Sequence, residues 1–81
     1  MTTVFRRGRL KISIYREDGG QHHLAHCHVY LLDAEAIFDL KTLECLANSG
    51  FHRKTLKQVR EILSDYQIEF LDIWRSLNEE E

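Results

Sequence analysis

The stretch His26-Cys27-His28-Val29-Tyr30-Leu31-Leu32-Asp33-Ala34-Glu35-Ala36-Ile37-Phe38-Asp39-Leu40 decides the fold class. Its first part alternates with period two, placing Cys27, Val29 and Leu31 on one side and His26, His28 and Tyr30 on the other. That is the signature of a strand buried on one face. Residues 35–40 alternate again, with Ala36, Phe38 and Leu40 inward and Glu35, Ile37 and Asp39 outward. With Asp33-Ala34 as the two loop residues, the strands make a hairpin in which Val29 faces Phe38 and His28 faces Asp39.

Upstream, Leu10-Lys11-Ile12-Ser13-Ile14-Tyr15 alternates strictly and predicts a further strand, with Leu10, Ile12 and Ile14 toward the core. A short strand around residues 3–5 precedes it across a turn at Gly8, and Glu17-Asp18-Gly19-Gly20 opens a loop. Downstream, Thr42 is placed to cap a short helix whose Leu43, Leu46 and Ala47 point inward, and Asn48-Ser49-Gly50 supplies a left-handed stop. From about residue 52 to 77, Leu56, Val59, Leu63, Tyr66, Phe70, Trp74 and Leu77 recur at helical spacing. A straight helix of that length spans roughly 38 Å, whereas a domain of this size has a radius of gyration of about 12 Å. Its end therefore overhangs the sheet unless the helix bends. The expected architecture is α+β: an antiparallel sheet of three to four strands, followed by a short and a long C-terminal helix packed on one face.

The chain has 81 residues, no proline, 43% hydrophobic and 30% charged residues, which fits a single domain over residues 1–81 and excludes a low-complexity segment. So small a core leaves a monomer marginal, so self-association is expected. Cys27 and Cys45 are too few for a disulfide scaffold, the beginning Met-Thr-Thr-Val-Phe-Arg-Arg lacks an apolar signal segment, and no run is long enough to span a membrane. A reducing cytoplasm is the expected location. Charge is uneven: residues 1–30 hold five basic residues against two acidic ones (+3), and residues 31–81 hold six against eleven (−5). This suits an anionic ligand for the first part, or head-to-tail docking of subunits.

The strongest chemical signal is His22-His23-Leu24-Ala25-His26-Cys27-His28. Histidines two apart on a strand share a face at about 6.5–7 Å, close enough to share a divalent metal such as zinc, or a phosphate. Asp39 is placed to orient His28 or to act as a third ligand, and His22 or His23 to reach in from the loop. Cys27 points the other way and fills the core. The same pair also fits a solvent-facing polar surface without a task.

Two basic groups compete for anions. Arg53, Lys54 and Lys57, with Arg60 beyond, open the long helix, against the preference of its dipole for acids there. Arg6 and Arg7, with Arg9 and Lys11, form a basic strand segment without interleaved aromatics, which would touch nucleic-acid backbone rather than bases. Ile68 and Leu71, with Ser64 and Arg75, fall on a third helix face suited to a dimer or partner contact.

Thr3-Val4-Phe5-Arg6-Arg7-Gly8, a strand ending at Tyr15, His26-x-His28-Val29, Ala36-x-Phe38, Asn48-Ser49-Gly50-Phe51 and a last helix holding Trp74 together resemble the small bacterial DUF4160 proteins. The resemblance covers nearly the whole chain. It implies a component of a toxin–antitoxin-like module, partnered by a DUF2442-like protein. On that footing His28 would act as general base or acid, His26 as its complement with Asp39 beside them, and Arg6, Arg7 and Arg53 would hold RNA phosphates. The alternatives are a non-enzymatic dimeric interaction module and a metal-binding protein using His26 and His28.

Overall fold

A computed structural model describes residues 2–16 and 24–78. Five strands form one antiparallel sheet in chain order: β1 (Thr2–Arg7), β2 (Leu10–Ile14), β3 (His26–Leu31), β4 (Ala34–Asp39) and β5 (Cys45–Ser49). Two helices follow, α1 (Arg53–Asp65) and α2 (Gln67–Asn78). Both pack on the face that carries Ile12, Ile14, Cys27, Val29, Ala36 and Phe38, against which Val59, Leu63, Phe70 and Trp74 are buried. Truncating Phe38 or Trp74 to alanine removes a fully enclosed ring and costs about 3–5 kcal/mol.

The sheet has five strands, not three to four. The predicted short helix at residues 43–47 is instead β5. Asp39 ends β4 and its Oδ1 accepts hydrogen bonds from the backbone N–H groups of Lys41 (2.7 Å) and Thr42 (3.1 Å), while Leu43 adopts a left-handed φ of 64°. This tight reversal sends the chain back along β4. Thr42 Oγ1 accepts from the Glu44 N–H within the turn instead of capping a helix. Leu46 falls at an irregularity, since Ile37 pairs with Ala47 and Phe38 with Cys45, so the apolar spacing read as helical comes from a bulged edge strand.

The β3–β4 hairpin turns at Leu32-Asp33, two positions of register away from the predicted pairing. Val29 pairs with Ala36, His28 with Ile37, and His26 with Asp39. A slip of two preserves which residues face inward, so the core prediction stands although the partners change.

The long helix is two helices of 13 and 12 residues. Tyr66, with φ −112° and ψ 16°, closes α1 through its N–H to the Ile62 carbonyl and opens α2 by accepting from the Phe70 N–H. Packing causes the bend, since neither proline nor glycine lies there. Gln67 Nε2 donates to the Leu40 and Lys41 carbonyls (2.8 and 3.0 Å), and Asn78 Nδ2 donates to the Tyr15 carbonyl (3.2 Å). Both ends of α2 are thus tied to one end of the sheet, which keeps Trp74 over the core and the radius of gyration at 12.1 Å. Gly50, at φ 101°, brings the chain out of β5 where a Cβ would stand 3.1 Å from that of Ala34. Among the described residues no helix is long and apolar enough to cross a membrane.

Candidate functional site on the open face of the sheet

Because both helices cover one face, the outward residues of β1–β4 form a surface of their own. Strand register arranges them in rows. Arg6 pairs with Lys11, Lys11 with Tyr30 and Tyr30 with Glu35, so one row across four strands reads cation, cation, aromatic ring, carboxylate. The adjacent row runs from Ser13 through His28 to Ile37. Paired residues project from the same face, so these rows are contiguous.

The aromatic groups make a connected cluster. Tyr15 and Tyr30 hydroxyls share a 2.6 Å hydrogen bond, and the Tyr15 ring stands edge-on to the His28 ring with centroids 4.6 Å apart. His28 lies 5.3 Å from His26 and nearly parallel to Tyr30 at 6.4 Å. Lys11 Nζ sits 5.1 Å from the centre of the Tyr30 ring, a cation–π distance. His26 Nδ1 is 2.7 Å from the Leu24 carbonyl, and as a donor there it fixes the orientation of the ring. The side chain of His28 is only 19% exposed, with Glu35 Oε2 3.6 Å from its Nδ1. The ionisation of Tyr30 is pushed upward by burial first, then by its bond to Tyr15 and the neighbouring charges of Tyr15 and Glu35. Tyr30 therefore stays a neutral phenol at physiological pH.

In the structure the His26 and His28 rings lie 5.3 Å apart, and Asp39, expected opposite His28, pairs with His26 instead. Asp39 is 6% exposed, and its Oδ1 is occupied by the turn that leads to β5. The carboxylate beside His28 belongs to Glu35, which the shifted register carries to that position. His22 and His23 lie outside the described residues. Among the described residues no group of three or more His, Cys, Asp or Glu is arranged to hold a metal ion. Cys27 is buried as expected, and burial raises its thiol to about 12.

The predicted anion-binding residues divide between two faces. Arg6 shares the open face with Lys11. Arg7 instead lies over the Phe5 ring at 5.2 Å, on the side where Phe5 meets Tyr66 of the helical layer. Arg53, Lys54 and Lys57 are exposed on α1, across the sheet from the histidines. Of the expected partner-contact residues, Ile68 is 75% exposed, Leu71 packs partly on the core, and Arg75 reaches Asp72 at 3.5 Å. Tyr15 and Glu35 are members of the cluster that the linear sequence did not single out. Their signal was their outward position in the alternation, readable only with the register.

A small α+β domain with helices on one face and an aromatic, histidine-bearing sheet surface on the other is the class this architecture defines. The chain belongs to the family described as a domain of unknown function, DUF4160, which it matches over residues 10–75. Comparison with curated proteins finds no match, and neither does comparison with solved structures.

Proposed function

We propose that this protein is the RNA-directed component of a small toxin–antitoxin-like module and that it engages single-stranded RNA on the open face of its sheet. One observation carries the reading: the cross-strand row Arg6, Lys11, Tyr30 beside His28 and His26. The basic strand segment has no aromatic interleaving along the chain, and the register supplies it from β3. Cations follow a phosphate backbone while flat rings stack bases, and a single strand offers both at once. The two imidazoles add side chains that can serve as acid and base in phosphodiester cleavage. The module setting rests on the resemblance to proteins partnered by DUF2442 members.

The test is fluorescence anisotropy with a labelled single-stranded RNA over a salt series. Tyr30→Ala should weaken binding by about 1–3 kcal/mol through lost stacking. Removing both Arg6 and Lys11 should flatten the salt slope by about 1.4, at roughly 0.7 per phosphate contact. Wild type that fails to bind RNA overturns the reading. Cleavage by wild type that disappears in a His26→Ala/His28→Ala variant would make the face catalytic, and cleavage by neither would leave it a binding surface.

A second reading, a non-enzymatic interaction module, is favoured by Ile68, whose 75% exposure on a helix leaves a large apolar side chain in solvent.

A further inference from the structure

On the helical side, remote from the histidine face, a groove runs along α1. Leu43 and Leu56 form its apolar floor, and Arg53, Lys57 and Arg60 line it, with Glu61 as the acidic member. Arg60 is held in place there, its Nε donating to the Leu43 carbonyl at 3.0 Å and its guanidinium lying 5.8 Å from the centre of the Phe38 ring. The first turn of α1 contains no acidic residue, and His52 provides no side-chain cap. Arg53 and Lys54 in the first turn of an uncapped helix are unfavourable for an isolated helix.

The same chain carries the opposite shape and charge. At the start of α2, Ile68 projects 75% exposed, followed by Glu69 in the first turn and by Asp72 one turn on. An apolar knob beside two carboxylates matches, in chemistry, an apolar floor beside three cations. We infer that two copies of this chain associate as a symmetric dimer in which Ile68 of each enters the Leu43–Leu56 groove of the other, with Glu69 and Asp72 facing Arg53 and Lys57. Each copy has one knob and one groove, and in a two-fold arrangement both contacts form together and the assembly closes at two. Ile68, left in water by the monomer, is then buried, and the cations of α1 gain partners. This deepens the interaction reading and is independent of RNA binding, because both contacts lie on the helical side of the sheet.

Charge reversal gives a test that misfolding cannot imitate. One variant carries Arg53→Glu with Lys57→Glu, and another carries Glu69→Lys with Asp72→Lys. Alone, each places like charges at both contacts; mixed, each reversed groove meets a reversed knob and each native groove a native knob. Sedimentation velocity from about 1 μM to about 1 mM covers the range of weak association. Wild type should be dimeric in that range, more weakly so at high salt, and Ile68→Glu should weaken the dimer about tenfold or more. Each reversed variant should be monomeric with a native circular dichroism spectrum, and their mixture should recover the dimer. The inference is overturned by wild type that stays monomeric throughout, by a dimer that both reversed variants retain, or by a mixture that remains monomeric.

Discussion

Tyr15 and Tyr30 hold each other by a 2.6 Å bond between phenolic oxygens, and the imidazole of His28 lies edge-on to the first ring and nearly parallel to the second. The bridge therefore sets how far His28 can swing and how the Tyr30 ring is presented.

Tyr15→Phe removes one partner of the bridge. Burial is the leading cause of the raised Tyr30 ionisation and remains, while both contributions from Tyr15 disappear. Ultraviolet absorbance titration should place Tyr30 lower than in wild type yet still above an ordinary tyrosine. Stability should fall by about 0.5–1.5 kcal/mol, as for a partly buried neutral hydrogen bond. An unchanged Tyr30 titration would show that the bridge does not form in solution.

Thiol chemistry should separate the two cysteines. Cys27 is fully enclosed and Cys45 half-exposed, with its Sγ 3.3 Å from the Ala47 carbonyl. Iodoacetamide should modify Cys45 alone in the native protein and both residues after unfolding. The folded state holds the Cys27 proton more tightly, raising its ionisation from 9.0 to about 12, so the unfolded chain binds fewer protons in that interval. The resulting stability is complete below pH 9.0 and is lost as pH rises toward about 12. Urea titrations over this range should show a shallower decline for Cys27→Ala than for wild type, measured from its own neutral-pH stability.

Asp39 is expected to act on stability and not on the chemistry of the open face. Asp39→Ala leaves the Lys41 and Thr42 N–H groups without their acceptor and should cost about 1–3 kcal/mol. Asp39→Asn keeps an acceptor oxygen and should recover most of that loss. A loss of RNA affinity in Asp39→Asn without a loss of stability would return this residue to the site.

Leu32 sits in the β3–β4 turn at φ 55° and 71% exposed, paying for a left-handed backbone without gaining burial. Relief of about 1–2 kcal/mol of strain exceeds the extra unfolded-state freedom of glycine, about 0.5–1 kcal/mol. Leu32→Gly should therefore raise the thermal midpoint by a few degrees, about 4–8 °C for each net kcal/mol in a chain this short. A lowered midpoint would mean that Leu32 contributes packing.

The inward set Ile12, Ile14, Cys27, Val29, Ala36 and Phe38 was legible because alternation on a sheet buried on one side specifies faces without specifying partners. For the same reason His26 and His28 fall on one face of β3. Partner identity depends on where a turn begins, and Leu32, a residue poorly suited to positive φ, gave no local sign of being the turn. That two-residue offset moved Glu35, not Asp39, beside His28. At β5, Leu43, Leu46 and Ala47 have helical spacing, which is overridden by the turn that the Asp39 side chain and backbone hold together. The division at Tyr66 was foreseen only as an alternative to overhang. It depends on the distant carbonyls of Leu40 and Lys41, which no short window contains.

The two margins of the sheet are defended unequally. β1 carries Arg6 and Arg7 and an irregularity between Thr3 and Phe5, whereas β5, Cys45-Leu46-Ala47-Asn48-Ser49, carries no charge and is largely exposed. Its one irregularity, at Leu46, is what discourages another extended segment from zipping onto it. Crowded synthesis should therefore seed insoluble growth from β5 and not from β1, and Leu46→Lys should raise the soluble yield while leaving the core intact.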